Sequence, residues 1–184
     1  MEIKITTQHI LAVLNVIAWI IFIGVCIEAG GFLFNAFYTL AVKPKGAEFF
    51  WNHLNLLSLY QFSKSHFITE LALINIVAIL RAIMFYVIVK FLYDKKLDLS
   101  KPFNMELRRF ILIIGYLSLG ISFFSVWGTN YTDWLVSKGV TMPSVHQLRI
   151  AGADVWVFMS VVLFVIAQIF KRGIELQSEN DLTV

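Results

Sequence analysis

Three ionisable residues of this 184-residue chain sit where charge is expensive. Glu28, Arg81 and Asp154 fall inside long apolar runs of a sequence that is 59% hydrophobic and only 15% charged. A charged side chain at the centre of a membrane helix costs about 2.5–3.5 kcal/mol on insertion scales, so each of the three needs a partner or a task. A guanidinium beside carboxylates gives either an internal ion pair that fixes helix register or a site for an ion, a proton or a small solute. Glu70 lies about three helical turns before Arg81 on nearly the same face and joins the set. Other chemistry is not encoded by spacing. His53, His66 and His146 fall in connections or at span ends, with no His-x-x-x-His or His-Glu-x-x-His pattern to hold a metal. Neither a phosphate loop nor an ordered nucleophile triad is present. The expectation is a non-enzymatic protein with no metal and no cofactor.

The elements that must position these charges are membrane spans. A mean hydropathy of +0.77, with charge excluded from four long stretches, predicts helices over about 10–35, 67–92, 110–127 and 151–170. The fold expected is all-α, an integral membrane four-helix bundle forming one transmembrane domain over 1–184. The first apolar run, 10–42, would make about 50 Å of helix against a hydrocarbon core of about 30 Å. It must tilt, project or break, with Gly30 and Gly31 the natural place to break, and it reads as a retained span rather than a signal peptide. Gly24, Glu28, Gly31 and Asn35 share one face of it, so the side that allows close packing also carries the carboxyl. Gly115, Ser118, Ser122 and Ser125 make a second small-residue packing stripe on the third span. With span midpoints at the bilayer centre, Arg81 lies roughly 3 Å to one side, and Glu28 and Asp154 each roughly 9 Å to the other. Arg81 reaching toward either carboxylate is the pairing expected. Cys26 reads as a small buried hydrophobe. Phe49, Phe50, Trp51, Leu54, Leu57 and Tyr60 suggest an amphipathic segment lying at the interface, the alternative being a cap on the bundle. Asn104 is placed to cap the third helix.

Basic residues set the orientation. Lys4, Lys90, Lys95, Lys96, Lys101, Arg108, Arg109, Lys171 and Arg172 flank the spans on the side of the termini, against Lys43, Lys45, Lys64, Lys138 and Arg149 on the other. Nine against five places both termini in the cytoplasm, and the net charge of +3 then reflects topology rather than nucleic-acid affinity. The 93–109 loop is cytoplasmic and basic. In the 171–184 tail, Ile174, Leu176 and Leu182 alternate with Glu175, Gln177, Glu179 and Asp181. Such a tail either frays or docks, with Glu175, Glu179, Asp181 and Leu182 set against Lys95, Lys96, Arg108 and Arg109 or against a cytoplasmic protein.

Two stretches carry a family resemblance. One is Lys101-Pro102-Phe103-Asn104 followed by Leu107-Arg108-Arg109 and Ile114-Gly115-Tyr116. The other runs from Phe170-Lys171-Arg172-Gly173 to the closing Asp181-Leu182-Thr183-Val184. Together they resemble a family of small bacterial inner-membrane proteins, domain of unknown function 2975, mainly over the second half of the chain. The resemblance implies four spans, no assigned activity, and genes beside small helix-turn-helix regulators. The leading expectation is a regulatory or anchoring partner acting through its cytoplasmic loop and tail. The alternatives are a small-solute or ion handler using Glu28, Arg81 and Asp154, and an accessory subunit of a larger membrane complex. A lipid bilayer surrounds it in every case. A cytoplasmic protein, a second copy and a larger complex remain open as partners, and direct nucleic-acid binding is not expected.

Overall fold

The computed structural model describes residues 7–94 and 103–181, with side chains over 9–94 and 103–179. In chain order the helices are α1 (Thr7–Ala41), α2 (Leu57–Phe62), α3 (Lys64–Tyr93), α4 (Met105–Ser137) and α5 (Ala153–Asp181). Four of them, all but the six-residue α2, are long and apolar enough to cross a membrane. They pack in sequence, α1 on α3, α3 on α4 and α4 on α5. Each pair is antiparallel: Phe22 meets Tyr86, Glu70 meets Thr132, Phe91 stacks on Phe110, and Gly115 abuts Phe164. In the most apolar stretches of α3 and α4, 39% of residues are buried, against 6% in α1 and 11% in α5. The inner pair therefore forms the core, and the outer pair turns most of its apolar surface outward, as lipid-facing helices do. Cys26 is on that exposed surface and not in a core, because α1 has only one large helical neighbour.

Local signals explain the helix ends. Ser63 caps α3, accepting from the His66 N–H at 3.5 Å, and Asn104 caps α4, accepting from Leu107 N–H at 2.7 Å. At its far end α4 runs to Ser137, beyond the expected 127. It stops where Gly139, at φ +84°, turns the chain so that the N–H groups of Gly139 and Val140 close on the carbonyls of Val136 and Leu135. Val140 and Leu135 are both buried in that turn.

The expected break in α1 does not occur. The helix runs through Gly30 and Gly31 for 35 residues, about 52 Å, so it projects beyond a hydrocarbon core. Gly31 serves packing instead: a Cβ there would come within 2.2 Å of the Trp51 indole, so that ring lies on the bare helix backbone. This contact also corrects the reading of 43–63. Rather than lying along an interface, the segment folds over the helix ends as a cap, through 3₁₀ turns at Pro44–Ala47 and Trp51–His53 and then α2. Ala47, Phe50, Leu54, Leu56 and Leu59 are buried in it. Phe50 bridges Phe32 of α1 and Phe67 of α3, with ring centroids 6.3 and 6.5 Å away. Phe49 and Phe62 of the same segment stay exposed.

The 138–152 connection folds back down the bundle. Ser122 Oγ donates to the carbonyl of Ala153, the first residue of α5, at 2.8 Å. Ser122 lies fifteen residues before the end of α4 at Ser137, so α5 begins about 22 Å back along α4. Irregular backbone at such a depth is tolerated only where protein covers it. Here Leu148 and Ile150 are fully buried, and Ile150 lies against Gly128.

Candidate functional site: a charge cluster in the membrane and an assembled face at the termini

The descending connection delivers Arg149 to the membrane charges. Arg149 has a φ of +61°, in the left-handed region that non-glycine residues rarely adopt. Its two neighbours, Leu148 and Ile150, are anchored in the core, which holds it there. From this position its Nε lies 3.6 Å from Glu28 Oε2. The observed partner of Glu28 is thus Arg149. The pairing of Glu28 with Arg81 expected from the sequence is a longer-range attraction, and Arg149 stands close enough to Arg81 to repel it. Arg81 places its guanidinium over the Trp156 ring, 5.7 Å from the centroid, as a cation–π contact. Its Nε is buried without a hydrogen-bond partner. Asp154 does not join the cluster. It is exposed in the first turn of α5, where a carboxylate suits the positive end of the helix dipole, and it has no ion pair among the described residues.

Glu70 also stands apart from Arg81. It is fully buried between α3 and α4, where Thr132 Oγ1 lies 2.7 Å from its Oε1 and 2.9 Å from the Gly128 carbonyl. Its Oε2 has no partner. One helical turn away, His66 Nδ1 and the Tyr131 hydroxyl are 2.5 Å apart, with Trp134 packed on the imidazole at 5.2 Å. Sequence reasoning missed this polar pair because Tyr131, Thr132 and Trp134 fell in the expected loop, whereas they occupy the last turns of α4.

The small-residue stripe on α4 is buried. Gly115 receives the Phe164 ring, Ser118 bonds the Ile114 carbonyl at 2.9 Å, Ser122 holds Ala153, and Ser125 is fully covered with its Oγ unpartnered. On α1 the stripe divides: Gly31 packs on Trp51, but a Cβ at Gly24 would meet nothing within 4 Å.

At the other end of the bundle, where the described chain starts and stops, α5 continues past Lys171 and Arg172 to Asp181 as one helix. Glu175 pairs within that helix, 3.9 Å from Lys171 and 3.1 Å from Arg172, because (i, i+4) and (i, i+3) neighbours share a face. These are the ion pairs of Glu175 among the described residues, while Lys95 and Lys96 of the basic loop lie outside them. Arg108 contacts Met105 Sδ, and Arg109 lines a 370 Å³ groove between α3 and α4 with Lys90, Asp94 and Glu106. Glu179 is on α5 and Asp181 is its last residue; the Asp181 side chain, Lys95, Lys96 and Leu182 lie outside the described residues. Among the described residues, what joins loop to tail is apolar. The Phe103 ring lies where a Cβ of Gly173 would be, 2.4 Å away, and packs beside Phe170 at 5.4 Å. Phe103 and the Phe170–Gly173 motif belong to the two stretches that carried the family resemblance, and they meet in space.

Four membrane-length helices with this packing define a multi-pass integral membrane protein, and the family match places it in the bacterial inner membrane. The chain belongs to the family described as "Protein of unknown function (DUF2975)", whose pattern matches residues 44–184 and so takes in the cap and α3 as well as the second half. No curated protein and no solved structure matches the chain.

Proposed function

We propose that this protein is a membrane-anchored regulatory partner whose working surface is the face where Phe103, at the entry to α4, meets the end of α5. The basic-residue asymmetry between the two ends supports a cytoplasmic location for that face and for both termini. The observation that carries the reading is the seating of Phe103 on Gly173. It ties the entry to α4 to a helix that extends eight residues past Gly173, about 12 Å, beyond the basic pair. A frayed terminus presents no fixed surface, whereas a helix braced at its base presents Leu176 and alternating polar groups in a defined array. Leu176 is 47% exposed there, an apolar anchor on an otherwise polar segment. The partner expected is a soluble protein, and the family resemblance points to a small helix-turn-helix regulator. Deleting residues 177–184 is expected to abolish co-purification of that regulator while membrane insertion is unchanged. Equal recovery with and without these residues would remove the proposal.

A further inference from the structure

The charge cluster at Glu28 is unbalanced. Two guanidinium groups, Arg81 and Arg149, share one carboxylate, which leaves one positive charge without a counter-charge among the described residues. The contacts are equally uneven. Glu28 reaches Arg149 at 3.6 Å through Nε, a single long contact rather than a bidentate one. Arg81 makes no hydrogen bond and no ion pair among the described residues, and its one close partner is the face of Trp156. An indole face satisfies the guanidinium plane and leaves its N–H edge free to donate. Charges removed from water are normally paired and hydrogen-bonded, so an Arg in this state lacks an acceptor. Access is lateral: α1 and α5, which carry Glu28 and Trp156, pack on α3 and α4 respectively and not on each other. Arg149 is held at the opening by its left-handed backbone between two buried residues, an arrangement costing roughly 1–3 kcal/mol that a merely solvated surface Arg would not require.

We propose that Arg81 and Arg149 form a binding site for an oxyanion, a phosphate or carboxylate group, in which Glu28 occupies part of the site when no ligand is bound. The incoming anion accepts from the free edge of Arg81 and competes with Glu28 for Arg149. The anion can belong to a diffusible solute or to a lipid headgroup entering between α1 and α5, and the chemistry at the two arginines is the same. The site is separate from the Phe103–Gly173 face, so its failure leaves the proposed function standing.

Glu28 gives the test its sign. The full-length protein is titrated in detergent with inorganic phosphate, with the unfolding midpoint as readout. In parallel, phosphatidylglycerol retention is measured by native mass spectrometry after reconstitution into phosphatidylcholine nanodiscs containing it. Arg81→Gln and Arg149→Gln are each expected to weaken binding about tenfold, the scale of one charge-assisted hydrogen bond. Glu28→Gln is expected to tighten it by a similar factor, because a competing carboxylate is gone. A response in the phosphate arm alone identifies a solute, and one in the lipid arm alone identifies a headgroup; either supports the site. Should Arg81→Gln fail to fold, Arg81→Lys keeps the charge and removes the planar fork, and is expected to weaken binding without loss of fold. Weaker binding in Glu28→Gln, or no response of the wild-type protein in either arm, overturns the proposal.

Discussion

The same substitution at two glycines of α1 is expected to have opposite effects. At Gly24 a Cβ meets nothing within 4 Å. Gly24→Ala therefore exchanges the poorest ordinary helix residue for the best and gains about 1 kcal/mol. Gly31→Ala gains the same helix term but places its methyl 2.2 Å from Trp51 Cδ2, where carbon atoms settle at about 3.5–4.0 Å. The indole must move outward by more than 1 Å across its width, and its backbone follows Phe50, which is fixed between α1 and α3. Lifting roughly 100 Å² of the ring off the helix costs about 2.5 kcal/mol. The net is a loss of about 1.5 kcal/mol, and the two variants should differ by about 2.5 kcal/mol. Reversible unfolding in mixed detergent micelles, followed by helical circular dichroism, measures both. Tryptophan emission of Gly31→Ala should also shift to the red. If Gly31→Ala is stabilised as much as Gly24→Ala, the cap does not rest on α1 and the account of residues 43–63 is wrong.

Other consequences follow from particular contacts. Arg149→Gly should cost about 1 kcal/mol less than Arg149→Ala, since both remove the Glu28 pair but only glycine relieves the φ of +61°; equal costs in the same unfolding assay would show no strain there. In a double-mutant cycle, Glu28→Gln and Arg149→Gln should couple by no more than about 1 kcal/mol, because the Arg149 side chain is more than half exposed. Glu70→Gln should be tolerated, as it offers Thr132 the same acceptor without a charge, whereas Glu70→Ala leaves the Thr132 hydroxyl only the Gly128 carbonyl and opens a cavity at a cost of about 2–3 kcal/mol. Similar stabilities for these two variants would contradict the buried contact. Gly173→Leu should displace Phe103 and expose the connection to limited proteolysis near residue 103, with the spans still protected; unchanged cleavage would argue against the contact.

The spans were legible because charge is excluded from them, and the Asn104 cap because a side-chain acceptor before a helix has a local cause. The placement of Arg149 was not legible. It depends on a connection that descends along α4 and on a left-handed residue between two buried ones, neither of which has a local pattern. The cap over α1 had two readings, since Phe50, Trp51 and Leu54 suit headgroups as well as a core; the bare backbone of Gly31 decides between them. Glycine pairs commonly mark breaks, and that prior obscured the role of Gly31 as a seat for Trp51. Acidic residues in the tail suggested long-range docking on the basic loop, and the fold adds that Glu175 also has cations of its own helix within one turn. The Phe103 and Phe170–Gly173 stretches were singled out separately, and only the fold shows that they form one contact.

The regulatory reading rests on that contact, and its most direct measurement is the amount of helix-turn-helix regulator retained per molecule of membrane-inserted protein, compared between the wild type and Gly173→Leu. With Phe103 displaced, retention should fall at least about fivefold while insertion and span protection are unchanged, as expected when the surface is no longer held in one arrangement. Equal retention by the two proteins would mean that the assembled loop-and-tail face is not the working surface.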